Sequence, residues 1–313
     1  MDNNSLLASL HELEDCHICP RNCHVNRLTG NAGYCQSDAS FNIASICIHH
    51  GEEPPISGKT GICNIFFTNC NLQCIYCQNH QISDNRIPRN LSQMGLEEVA
   101  GRVISILDQG INRVGFVSPS HFVPQVRALI EKVKSRGYHP VWVYNTNGYD
   151  KAETIRSLEG TIDVYLPDFK YADSQLSHDL SGARDYPDIA AKAIGEMFRQ
   201  KGSTLILDND GQAESGLIIR HLVLPRKIDN SLKVLRFIAE NFSPRVHISL
   251  MSQYCPTPKV KGLPDLGRGV TSREYRKVIR EMSVLGMNHG WTQELDSKNS
   301  YQPDFNSVHP FEK

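Results

Sequence analysis

A chain of 313 residues with 40% hydrophobic and 21% charged side chains has enough apolar material for a sizeable core. A formal net charge of −1 gives no polyelectrolyte signal, so neither nucleic acid nor a membrane surface is implied as a partner. No run approaches the ~18–20 apolar residues of a spanning helix. Residues 1–16 show neither the basic stretch nor the apolar core of a signal peptide, so a cytoplasmic protein is expected. In such a reducing compartment the ten cysteines point to metal binding or catalysis rather than to disulfides.

Residues 1–60 are cysteine-rich, turn-rich and weakly periodic, and read as an N-terminal metal-binding extension. Cys16, Cys19, Cys23 and Cys35 follow the spacing C-x2-C-x3-C-x11-C. Four thiolates suit either tetrahedral zinc or a fully ligated 4Fe–4S cluster, and the spacing excludes neither. Gly30 and Gly33 allow the tight turn that returns Cys35 to the group. In a segment with little hydrophobic periodicity, a bound metal would supply missing folding energy. Cys47, Cys63, His49 and His50 are left as packing or surface residues.

From residue 61 short apolar runs alternate with amphipathic segments. Strands are expected at 61–68, 113–117, 140–144, 162–166, 217–224 and 246–250. Helices are expected at 96–109, 124–136, 151–158, 189–201, 231–241 and 272–285. Pro124 suits a first helical turn, Gly110, Gly137 and Gly202 suit C-terminal stops, and Thr271 with Glu274 reads as a capping box. Strand–helix alternation repeated six times implies parallel pairing, so the expected fold is α/β, an open partial (β/α)6 barrel over 61–296. A hairpin is expected around 205–216, and the polar tail 297–313 is expected on the surface.

The loop after the first of these strands carries Cys70, Cys74 and Cys77 in a C-x3-C-x2-C triplet. Three thiolates can bind three irons of a cubane and leave the fourth open, the condition a reactive metal centre needs. That open iron would suit the amino and carboxylate groups of a methionine moiety. A zinc ribbon would need a fourth ligand and tighter knuckles, which the triplet does not supply.

The phrase C-x3-C-x-aromatic-C, with Tyr76 as the aromatic residue, resembles the signature of the radical S-adenosylmethionine superfamily. More narrowly, the chain is similar to the PflX-type group of pyruvate formate-lyase-activating-enzyme-like proteins. The resemblance rests on residues 19–23, 52–58, 66–79, 118–124, 144–149, 166–171 and 220–225. It implies an oxidoreductase with a 4Fe–4S cluster and S-adenosyl-L-methionine as cofactors. An electron from the cluster would cleave the C5′–S bond, giving methionine and a 5′-deoxyadenosyl radical that takes hydrogen from a substrate. It also implies a flavodoxin- or ferredoxin-type electron donor and, from the group's label, a glycyl radical enzyme as protein substrate.

Ligand-facing residues of such a barrel lie at the C-terminal ends of its strands. Tyr76 is implied beside the adenine. After the second strand the superfamily's Gly-Gly-Glu phrase is replaced by Ser118-Pro119-Ser120-His121, leaving Ser118 or Ser120 to receive the methionine amino group. His121 reads equally as a proton donor or as a histidine packed on the loop. After the third strand Asn145 and Asn147 offer amides toward ribose or carboxylate, with Gly148 a contact or a simple turn. After the fourth, Asp168 and Lys170 resemble the Asp-x-Lys of glycyl-radical activating enzymes, the aspartate holding a cation and the lysine near the cofactor. Arg220 and His221 alternate, so at most one faces the barrel. Two other classes remain open: radical modification of another peptide, cofactor precursor or small molecule, and a non-catalytic iron–sulfur or zinc protein.

Overall fold

The computed structural model describes residues 10–86, 93–295, 302–307 and 309–311. Its strands are, in chain order, β1 Phe41–His49, β2 Ile62–Phe67, β3 Gln93–Met94, β4 Arg113–Val117, β5 Val141–Thr146, β6 Val164–Pro167, β7 Ile206–Leu207, β8 Ala213–Leu222, β9 His247–Met251 and β10 Gly290–Thr292. The sheet order is β10-β9-β8-β6-β5-β4-β2-β1-β3, with β7 paired to β8. From β2 through β9 to β10 every neighbouring pair on this path is parallel, whereas β1 is antiparallel to β2 and to β3. The six expected core strands are thus present in the expected parallel set, and the β7–β8 hairpin lies where Gly211 turns the chain.

Every residue of β2 and β4 is buried. A parallel strand covered on both faces has no solvent side to alternate with, which is why these runs read as continuously apolar. Helices Leu96–Leu107, Val123–Ser135, Tyr186–Lys201, Ile228–Asn241 and Ser272–Val284 follow strands as expected. Thr271 and Glu274 form the reciprocal capping box, and Gly110, Gly137 and Gly202 follow their helices at positive φ. No helix of the described residues is long and apolar enough to cross a membrane.

The curvature of the sheet follows from its cavity. Six strands spaced ~4.8 Å apart would spread about 24 Å if flat. Yet Phe67, Val117, Asn145, Asp168, Arg220 and Met251, one from the C-terminal end of each of β2, β4, β5, β6, β8 and β9, line a single cavity. The sheet therefore curls around that cavity, as an open partial barrel does, and its two end strands, β10 and β3, do not pair with each other.

Three elements had no clear sequence signal. β1 lies in the segment read as weakly periodic, and its burial pattern shows no alternation. β10 is only three residues long. Helix Ser174–Ser181 is polar in composition and is started by Asp173, whose side chain accepts from the Leu176 N–H. The tail is not confined to the surface, because the rings of Phe305 and Phe311 meet Phe66 edge-on and tilted, each at a centroid distance of 5.3 Å.

Gly148 joins the ends of β5 and β6. Its φ is +80°, and a Cβ there would stand 2.2 Å from the Asp168 carbonyl oxygen and 2.9 Å from the Tyr186 hydroxyl. Gly148→Ala therefore meets both a left-handed backbone and a closed space, and a loss of about 2–5 kcal/mol is expected from denaturant melts. A change within 0.5 kcal/mol, as at an ordinary surface site, would contradict this packing.

Candidate active site

The cavity at the strand ends has a volume of about 300 Å³ and is lined by Cys70, Cys74 and Cys77 together with Tyr76, Lys170 and Tyr254. That is the lower end of the range of small-molecule sites, about 300–1,000 Å³. Ser118, Asn145, Asn147 and Asp168 also line it, so four of the strand-end polar residues meet the cysteine loop. Ser120 and His121 lie beside the cavity rather than in it. Ser118 takes a left-handed φ of +55°, and the chain then turns inward. Ser120 ends 3.0 Å from the Thr146 hydroxyl, and His121 Nε2 donates to the Thr68 carbonyl at 3.1 Å. Burial, helped by the nearby Arg27, lowers His121 to about 3, and its ring packs on the loop beside the cavity.

The three thiols share a set of donors. The Leu72 N–H and the Asn147 amide donate to Cys70 Sγ, each at 3.3 Å. Ser181 Oγ donates to Cys74 Sγ at 3.0 Å, and Ser83 Oγ to Cys77 Sγ at 3.2 Å. Behind Cys74 the hydroxyls of Tyr76, Tyr171 and Ser181 form a chain with 2.6 Å links. Burial pushes the Cys70 thiol far up, and it holds Cys74 at about 11 even though the nearby Lys170 pulls it back. Both are therefore neutral at pH 7 until a metal displaces the proton.

This donor set fits a cubane. Among the described residues no group of three or more His, Cys, Asp or Glu side chains that could hold a single metal ion is found. A cubane would take one thiolate per iron, so three thiols can serve it without meeting at one ion. Each sulfur already accepts a hydrogen bond, which suits a thiolate and is one of the controls on cluster potential. Ser83, Tyr171 and Ser181 were not legible as part of the site, because they come from separate helices and loops with no fixed spacing to the cysteines.

The opposite wall is a buried charge group. Asp168 accepts from Lys170 Nζ at 2.5 Å and from Arg220 Nε at 3.0 Å. The latter pair follows from backbone pairing, since Asp168 and Arg220 form a parallel bridge at the ends of β6 and β8. Glu52 accepts from Arg220 at 3.2 Å, from Asn64 at 2.8 Å and from Asn145 at 3.2 Å. Gly115 leaves room for Asn64, since a Cβ there would lie 2.1 Å from Asn64 Oδ1. Burial alone would raise Asp168, but Lys170 and Arg220 outweigh it and hold its carboxyl below the usual range. Burial alone would lower Lys170, and Asp168 and Cys74 reverse that. Arg220 faces the cavity, whereas His221 points away and bonds the Phe169 carbonyl at 2.7 Å and the Ser231 hydroxyl at 2.8 Å.

Comparison with known proteins bears on the same segment. A family described as "4Fe-4S single cluster domain" matches residues 56–184, which include the triplet but not the four N-terminal cysteines. The chain is 32% identical over 273 residues to "Uncharacterized protein MJ0674" of Methanocaldococcus jannaschii, covering 85% of this chain and 73% of that protein. Among solved structures it is similar to SuiB of Streptococcus suis bound to the precursor peptide SuiA, with a TM-score of 0.50, 14% identity, and coverage of 76% of this chain and 50% of that one. HydG, a maturase of the [FeFe]-hydrogenase, also matches at a TM-score of 0.50 and 14% identity, over 72% of this chain and 48% of that one. The chain thus spans about half the length of each of these two structures.

Removing Asp168 leaves two buried cations without it, while removing Lys170 leaves Asp168 paired with Arg220. Asp168→Asn should therefore cost about 3–5 kcal/mol and Lys170→Met less, roughly 1.5–3 kcal/mol. Because the folded carboxyl lies below its ordinary value, its contribution is full above the usual carboxylate range and is lost as pH falls through the depressed value. Asp168→Asn should flatten the acid side of the stability profile in urea melts between pH 7 and pH 3 (two chosen end points, roughly spanning carboxylate titration). An equal or reversed order of the two variants would contradict the charge arrangement.

Proposed function

We propose that this chain, which belongs to the same family as the Methanocaldococcus jannaschii protein and has the fold of radical S-adenosylmethionine enzymes, holds a 4Fe–4S cluster on Cys70, Cys74 and Cys77 and uses S-adenosylmethionine as its radical source. The observation that carries the reading is the meeting of these three thiols and the strand-end polar residues in one cavity. When bound, such a cluster supplies one electron that breaks the cofactor's C5′–S bond and yields a 5′-deoxyadenosyl radical.

The chain's own residues provide orientation and shelter. Asn145 and Asn147 present amides to the cavity, and Asn147 also fixes the loop by donating to Asn71 at 2.9 Å. Lys170 and Arg220 place two cationic donors on the wall, answered by Asp168 and Glu52, and their N–H groups suit the cofactor's carboxylate. Asp168 pairs with the Lys170 ammonium, and the separate cation that the Asp-x-Lys phrase implies would be held at this same carboxylate. Tyr76, Tyr254 and Phe67 give the cavity apolar sides that exclude water from the radical. Lys170 and Ser118 are the cavity polar groups nearest in role to catalytic and amino-group contacts, and His121 takes no part.

The substrate we propose is a polypeptide glycine in a partner protein, with electrons delivered by a flavodoxin- or ferredoxin-type carrier. What supports this is the Asp168-Phe169-Lys170 phrase on the cavity wall, shared with glycyl-radical activating enzymes.

Anaerobic protein given S-adenosylmethionine and dithionite should release 5′-deoxyadenosine. Cys70→Ala, Cys74→Ala and Cys77→Ala should each reduce the release to background. Release that persists in all three variants would overturn the assignment.

A further inference from the structure

We infer that Cys16, Cys19, Cys23 and Cys35 form a second, fully ligated 4Fe–4S site outside the cavity, docked against the loop that carries Cys70. It stands whether or not the cavity cleaves S-adenosylmethionine.

The backbone gathers the four thiols. Cys16 N donates to the Val25 carbonyl and His24 N to the Cys16 carbonyl, each at 3.0 Å, so Cys16 is paired beside the turn that carries Cys23. Asn22 N closes that turn on the Cys19 carbonyl at 3.2 Å. The returning segment crosses Cys23 at Gly33, where a Cβ would stand 2.6 Å from Cys23 Sγ, and Tyr34 N donates to the same sulfur at 3.2 Å. Only glycine lets Cys35 come back at this closeness. All four cysteines are free, and Cys16, Cys19 and Cys35 are at most 7% exposed.

A second observation comes from Arg27, whose side chain is 1% exposed. It donates to the Asp38 carbonyl at 2.6 Å, to the His121 carbonyl at 2.7 Å and to Cys16 Sγ at 3.9 Å, and it forms no ion pair among the described residues. A buried guanidinium without a counter-charge is costly. Four metal-bound thiolates carry net negative charge, and they stand where Arg27 points. The choice of cluster over zinc rests on what each asks of the thiols. Zinc needs its thiolates around one point, and among the described residues no group of three or more His, Cys, Asp or Glu side chains that could hold one ion is found. A cubane takes one thiolate per iron and leaves the sulfurs apart.

The site abuts the cavity loop. Arg21 donates to the Asn71 carbonyl at 2.9 Å, and Asn85 bridges the Tyr34 and Cys70 carbonyls at 2.8 and 3.0 Å. With all its irons ligated, such a cluster binds no substrate and serves the loop beside it.

The test is metal and acid-labile sulfide analysis of the full chain, purified anaerobically from cells supplied with both iron and zinc. About eight irons per chain are expected, and about four in the variant with Cys70, Cys74 and Cys77 all changed to Ala, as two cubanes require. Adding Cys16→Ala and Cys35→Ala to that variant should remove the remainder. Iron that falls to none in the variant lacking Cys70, Cys74 and Cys77, or zinc in place of the second set, would overturn the inference. Should that variant fail to fold, Cys16→Ala with Cys35→Ala in the otherwise unaltered chain should lower its iron by about four, and an unchanged iron content would overturn it equally.

Discussion

The loop that carries Cys70 and Cys74, whose thiols burial raises above the usual range, does not depend on its sulfurs alone for its place. Other bonds hold it. Cys70 N donates to Asn85 at 2.9 Å, Gln73 donates to the Ser83 carbonyl at 2.7 Å, and Asn71 donates to the Tyr149 carbonyl at 2.8 Å. Further on, Ile75 N reaches the Leu180 carbonyl and Thr257 reaches the Ile75 carbonyl, both at 2.9 Å. These partners come from four separate parts of the chain, so the fold as a whole fixes the three sulfurs. A preorganised loop has little conformational entropy left to lose when metal binds.

The same economy governs the opposite wall. Charges buried at the ends of β6 and β8 are tolerable because Asp168 answers both Lys170 and Arg220, and Glu52 answers Arg220 from behind. Glu53, buried beside them, is pushed up by desolvation with Arg220 opposing, which limits the negative charge the group must carry. A wall of this kind keeps its geometry when a ligand enters, since Asp168, Arg220 and Glu52 are each held by more than one partner.

Much of this was legible in the sequence. The six core strands show as apolar runs because parallel strands are covered on both faces, and the capping box at Thr271 shows because it is local. β1 and β10 do not show, since one has no alternation and the other is short. The triplet, Tyr76, Asn145, Asn147, Asp168 and Lys170 could be picked out because motif spacing and strand ends are linear features. Glu52 and Ser181 could not, because their roles depend on partners 93 and 107 positions away. Ser120 and His121 sit at the right strand end, yet one left-handed residue, Ser118, turns them out of the cavity.

The central claim is that one iron of the Cys70–Cys77 site is open to S-adenosylmethionine. Electron–nuclear double resonance on the reduced protein with S-adenosylmethionine labelled with 15N at the amino group and 17O at the carboxylate tests this most directly. Coupling of both nuclei to the cluster is the predicted result, and it should vanish in the variant lacking all three cavity cysteines. A reduced cluster whose spectrum shows neither coupling at saturating cofactor would contradict the account.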